Sequence, residues 1–107
     1  MFVILWEFEV KPGCESVFES VYGPRGAWAR LFERDPAYLG THLFRDTNRY
    51  LTYLTLDRWS SRKAFEGFRR THTVEYSSLD AEGEALTLEE RHIGSFEATS
   101  KSSPEPH

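Results

Sequence analysis

The sequence predicts an α+β domain built on a four-stranded antiparallel sheet with its helices on one face. Three observations predict it: bulky β-branched and aromatic residues alternating at the N-terminus, a hairpin signal in mid-chain, and two stretches of helical spacing between the strand-like segments. The element order is β-α-β-β-α-β.

Phe2 to Val10 reads as a strand that stops at Lys11-Pro12-Gly13, a turn signal. A period of two places Phe2, Ile4, Trp6, Phe8 and Val10 on one face and Val3, Leu5, Glu7 and Glu9 on the other. Both faces begin apolar, so both are expected to be covered. From Cys14 the spacing turns helical through Val17, Phe18, Val21 and Tyr22, with Glu15 at the end where the helix dipole favours an acid. Gly23-Pro24-Arg25-Gly26 interrupts this helix. A second piece carrying Trp28, Leu31 and Phe32 runs to Asp35-Pro36, since a residue before proline is driven out of the α region.

Tyr38 to Arg45 and Tyr50 to Trp59 read as paired strands around Asp46-Thr47-Asn48-Arg49, whose Asp and Asn suit a tight turn. An even loop sets His42 opposite Tyr53 and Phe44 opposite Leu51, whereas an odd loop breaks that register. Ser60 or Ser61 then caps a helix through Phe65 and Phe68. If it runs unbroken, Phe65, Phe68, His72, Tyr76 and Leu79 form one apolar stripe. If Thr71 or Thr73 caps a new helix, the phase resets. Residues 73 to 86 remain helix-compatible, and a last strand is expected from Leu88 to Phe96. This order is that of the ferredoxin-like split unit.

A chain of 107 residues is one domain, expected over residues 1–97. Ala98 to His107 lacks apolar periodicity and is expected to be a disordered tail. The formal charge of −4 offers no net positive field for a polyanion, so nucleic acid is not an expected partner. No run approaches the roughly 20 apolar residues that span a bilayer, and the N-terminus lacks a basic n-region, so a cytoplasmic protein without a membrane partner is expected. Cys14 is the only cysteine and forms no internal disulfide. The 16 aromatic residues (3 Trp, 5 Tyr, 8 Phe) exceed what a small core needs. They point to a ligand cavity or to a sheet face buried against a second subunit. The sheet face away from the helices, with Val3, Leu5, Leu39, Leu43, Leu54 and Leu56, predicts a homodimer.

The first strand with Val10-Lys11-Pro12-Gly13, the hairpin, and then Asp57-Arg58-Trp59-Ser60-Ser61-Arg62-Lys63-Ala64-Phe65 together resemble the antibiotic biosynthesis monooxygenase domains across residues 2 to 96. The resemblance implies a dimeric α+β barrel and an oxygenase that needs no cofactor, acting on a small quinol-like aromatic. It also implies a cavity between the sheet and the helices. Trp6, His42, Tyr53, Trp59 and His72 would converge there by parity, with Phe65, Phe68 and Tyr76 of the helical stripe completing the substrate-binding set. His72, Trp59 and His42 are the catalytic candidates, because an imidazole near neutrality can take a phenolic proton and leave a phenolate able to reduce O2. The haem-degrading branch of the superfamily has an Asn, a Trp and a His in its site. Trp59 matches, Trp6 stands where the Asn falls, and His72 lies a few residues late, which argues against that activity. A non-catalytic ligand-binding or stress-associated dimer is the other alternative. Glu90 and His92 share a strand face, but two ligands make no metal site.

Overall fold

The computed structural model describes residues 1–100. In chain order it has β1 (Phe2–Val10), α1 (Glu15–Tyr22), α2 (Ala27–Phe32), β2 (Tyr38–Arg45), β3 (Thr52–Trp59), α3 (Arg62–Thr71), α4 (Thr73–Glu84) and β4 (Thr87–Glu97). The four strands form one antiparallel sheet in the order β2-β3-β1-β4, the ferredoxin-like arrangement. Of the tail expected from Ala98, residues 101–107 lie outside the described residues. Among the described residues no helix is long and apolar enough to cross a membrane.

β1 occupies the middle of the sheet because its inward side chains are the most apolar. Phe2, Ile4, Phe8 and Val10 are all buried, and they pack under Phe18 and Tyr22 of α1, Trp28 and Phe32 of α2, and Phe68 of α3. Most of these rings meet edge-on or tilted, as in Phe8 to Phe18 at 5.3 Å and Phe32 to Phe68 at 5.5 Å, while Phe18 and Tyr22 stack at 4.4 Å. Each predicted helical region is split in two. Gly23 to Gly26 separates α1 from α2, while His72, with φ −114° and ψ 36°, both closes α3 and opens α4. Ser61 caps α3 as expected, its Oγ accepting from the Ala64 N–H at 3.1 Å.

The hairpin takes the odd-loop alternative. β2 and β3 pair His42 with Leu56 and Phe44 with Leu54, so the register with His42 opposite Tyr53 and Phe44 opposite Leu51 does not form. The cause lies in the turn. Asp46 accepts from the Asn48 and Arg49 N–H groups at 2.8 and 3.0 Å, Leu51 takes φ 57°, and the ladder closes through Asp46 N–H to the Thr52 carbonyl at 2.8 Å. Five residues, 47 to 51, therefore form the loop. A slip of one residue exchanges the two faces of a strand. His42 and Phe44 accordingly face away from the helices, and Leu43, expected on the outer face, packs against the core. At the other end of β2 the register shifts between Tyr38 and Gly40, and Gly40 absorbs it with φ 136°, a value other residues rarely adopt.

Candidate active site

The inward face of the sheet and the helices above it enclose an open-mouthed cleft. Its floor is Thr55 and Asp57 of β3, Trp6 and Phe8 of β1 and Glu90 of β4. Its roof is Tyr22 of α1, Trp28 and Phe32 of α2, and Tyr76 and Asp80 of α4. The non-atom space measures about 470 Å³ counted out to solvent, and about 50 Å³ of it admits the centre of a water-sized molecule, room for a few waters. Trp28 and Tyr76, from different helices, meet edge to face at 4.8 Å across the roof.

The cleft is aromatic along its middle and polar at both ends. At the β3 end, Thr41 Oγ donates to Asp57 Oδ1 at 2.6 Å, and the Tyr38 hydroxyl lies 2.6 Å from the same threonine oxygen. Thr41 and Asp57 are direct cross-strand partners, so the pairing of β2 with β3 creates this contact. Burial pushes the Asp57 carboxyl up to about 6, with the Thr41 hydrogen bond partly opposing it. At the β4 end, burial followed by the charges of Asp80 and Glu84 raises Glu90, and burial followed by the charge of Glu90 raises Tyr22. The Trp28 indole N–H and Glu90 Oε1 are buried without a partner at hydrogen-bonding geometry. The Trp28 N–H nevertheless lies close enough to the Tyr22 oxygen to influence its ionisation. Gly83 of α4 lets that phenol in, since a Cβ there would lie 1.9 Å from the Tyr22 hydroxyl.

Two of the eight candidate residues, Trp6 and Tyr76, line the cleft. Trp59 is fully buried beneath it, with Phe32, Tyr38, Phe65 and Phe68 around its ring. Phe65 and Phe68 complete that packing. Tyr53 faces the helices but belongs to the packing under α1, where its hydroxyl donates to Glu19 Oε2 at 2.7 Å; burial and this hydrogen bond push its pKa up to about 12. His42 stacks on Phe44 on the opposite sheet face, at 5.9 Å. His72, at the joint between α3 and α4, rests on the Phe68 ring at 4.6 Å with Nδ1 3.6 Å from Glu75 and does not line the cleft. Neither histidine is brought to the cleft.

Asp57 is the residue the sequence reading passed over. It stands two before Trp59, so it shares the inward face with Tyr53, Thr55 and Trp59, and an acid at an inward strand position is the signal that marks it.

The model of the family described as antibiotic biosynthesis monooxygenase matches residues 1–76, well over half of the chain. A comparison with curated proteins finds no match. Among solved structures the chain is similar to SnoaB, a cofactor-independent oxygenase from Streptomyces nogalater, at 24% identity and TM-score 0.76 over 97% of each chain. It is also similar to a Caulobacter crescentus protein placed in the same family, at 17% identity and TM-score 0.75 over 92% of this chain and 90% of the other. A Bordetella bronchiseptica protein so placed gives 20% and 0.72 over 92% and 96%. At these identities the structures establish the fold, and the family model establishes membership. The chain belongs to the antibiotic biosynthesis monooxygenase family.

Proposed function

We propose that the protein is a cofactor-independent monooxygenase of a small phenolic or quinol-like aromatic. The observation that carries this reading is the cleft itself: Trp28, Phe32 and Tyr76 above, Trp6 and Phe8 below, and the polar groups Thr55, Asp57 and Glu90 on the floor, between sheet and helices. Flat aromatic walls favour a flat aromatic guest, and the polar ends give its oxygen substituents partners.

The chemistry needs no external reductant. A phenol with a free ring position combines with O2 to give a quinone and water. One oxygen atom enters the ring, the other leaves as water, and all four electrons come from the substrate. The protein must ionise the phenol, hold the ring and exclude bulk water from the radical pair. Purified, chelator-treated protein incubated with a panel of naphthols and hydroquinones is expected to consume O2 above the uncatalysed rate. Uptake indistinguishable from the protein-free rate across the panel rejects the reading.

The same reading includes a homodimer. The outer sheet face presents Val3, Leu5, Leu54 and Leu56, with Phe44 and Phe96 about half exposed beside them. The Phe96 ring covers Gly94, where a Cβ would lie 2.8 Å from it. A second copy is the occupant this face fits, because a two-fold axis sets one apolar patch against its own image.

A further inference from the structure

We propose that Asp57 is the proton acceptor of the cleft, receiving the phenolic hydroxyl of the substrate and taking its proton, with Thr41 and Tyr38 as positioning residues. This rests on the monooxygenase reading.

The geometry distinguishes Asp57 from a structural acid. A carboxylate at an inward strand position is normally paired with a cation, because an isolated buried charge is costly. Here the adjacent Arg58 faces the other side of the sheet and donates to the Leu39 carbonyl at 3.0 Å. Asp57 Oδ1 instead accepts one hydrogen bond, from Thr41. With the Thr41 proton directed to Asp57, the Tyr38 hydroxyl donates to Thr41, and a chain of two 2.6 Å bonds fixes the carboxyl plane. Among the described residues no donor reaches Oδ2, and the residue lines the cleft.

The titratable groups around it are few. β2 contributes Tyr38; α4 contributes Tyr76 and Asp80, with Arg69 of α3 lying over the Tyr76 ring at 4.7 Å; β4 contributes Glu90 and α1 Tyr22. β1 and α2 bring no titratable side chain to the cleft. None of these groups is a cation in contact with Asp57. Burial therefore governs its ionisation, and the carboxyl titrates near 6, where a base at neutral pH works well.

The proton route closes without any further reactant besides O2. The phenolic O–H breaks, its proton goes to Asp57, and the electron pair stays on oxygen. The phenolate reduces O2, and a C–O bond forms at the ring carbon. Asp57 returns the proton to the peroxide. It then removes the hydrogen of that ring carbon as the O–O bond breaks, and the departing hydroxide leaves with that proton as water.

The test is the pH profile of kcat and kcat/KM for O2 uptake with the best phenol of the panel, together with binding of 2-naphthol followed anaerobically by fluorescence. The expected wild-type kcat/KM rises through pH 6. Asp57→Asn is expected to lower kcat about a hundredfold or more, to raise KM above pH 6 and to abolish that rise. Thr41→Val is expected to move the rise to higher pH, since it removes the hydrogen bond that favours the carboxylate. Binding of 2-naphthol is expected to tighten as pH rises through 6 in wild type and to be flat in Asp57→Asn. An Asp57→Asn protein that keeps kcat within a few-fold and the same pH profile overturns the assignment while the monooxygenase reading stands. Naphthol binding that ignores both pH and Asp57→Asn overturns it even without turnover. Absent O2 uptake with the naphthol linkage intact rejects the monooxygenase reading and upholds Asp57 as the phenol's acceptor.

Discussion

Asp57 binds a proton more tightly in the folded chain than in the unfolded one, since burial raises it from 3.8 to about 6. The sign follows from linkage: a group whose folded pKa lies above its unfolded value favours folding fully below the unfolded pKa, and that contribution is lost as pH rises through the folded one. Two units at about 1.4 kcal/mol each set the size on the order of 3 kcal/mol. Asp57→Asn is thus expected to raise the thermal midpoint relative to wild type at pH 8 and to lose most of that advantage by pH 4. Scanning calorimetry at both pH values checks it, and an equal effect at both contradicts it. Trp59 behaves in the opposite way: with no exposed surface and four rings packed on it, Trp59→Ala is expected to cost about 3–5 kcal/mol in a denaturant titration. Trp6 was legible as a cleft residue because strand parity alone places it on the helix-facing side. Asp57 was equally placed by parity but escaped notice, because a lone acid in a strand reads as solvent-facing until its neighbours are known.

At the level of elements, the strands and the α3 cap followed from alternation and capping chemistry, whereas the two histidines depended on joints. His42 changed face because the turn at Asp46 holds five residues, a number set by side-chain hydrogen bonds to the Asn48 and Arg49 amides. His72 stays stacked on Phe68 at the joint where α3 passes into α4 and ends outside the cleft, while Tyr76, one turn further on, lines it. Joint geometry is set by local side-chain hydrogen bonds, which periodicity does not report. Removing the α3 cap with Ser61→Ala is expected to cost about 1 kcal/mol, read as a shift in the denaturant midpoint without a change of slope. Gly83→Ala strikes the Tyr22 hydroxyl that roofs the cleft. It is expected to weaken 2-naphthol binding as well as stability, whereas Ser61→Ala leaves binding unchanged.

For the whole molecule, the fold separates two tasks on the two faces of one sheet. The inner face packs aromatic rings and leaves a cleft, while the outer face presents Val3, Leu5, Leu54, Leu56, Phe44 and Phe96, the patch proposed above to meet a second copy. Glu7 holds Arg49 and Arg91 on the same outer face, and these two hydrogen bonds, Arg91 first, keep its carboxyl below the usual range. A charge placed centrally, as in Leu56→Glu, is expected to convert a dimeric mass by light scattering to a monomeric one at micromolar concentration. A wild-type monomer under those conditions rejects the dimer outright. The central claim is that this cleft inserts one atom of O2 into a phenolic ring with no cofactor. Turnover of the best phenol under ¹⁸O2 in ordinary water, followed by mass spectrometry of the immediate product, tests it most directly. The product is expected to carry a single ¹⁸O. A product with none, formed with hydrogen peroxide in its place, would contradict monooxygenation.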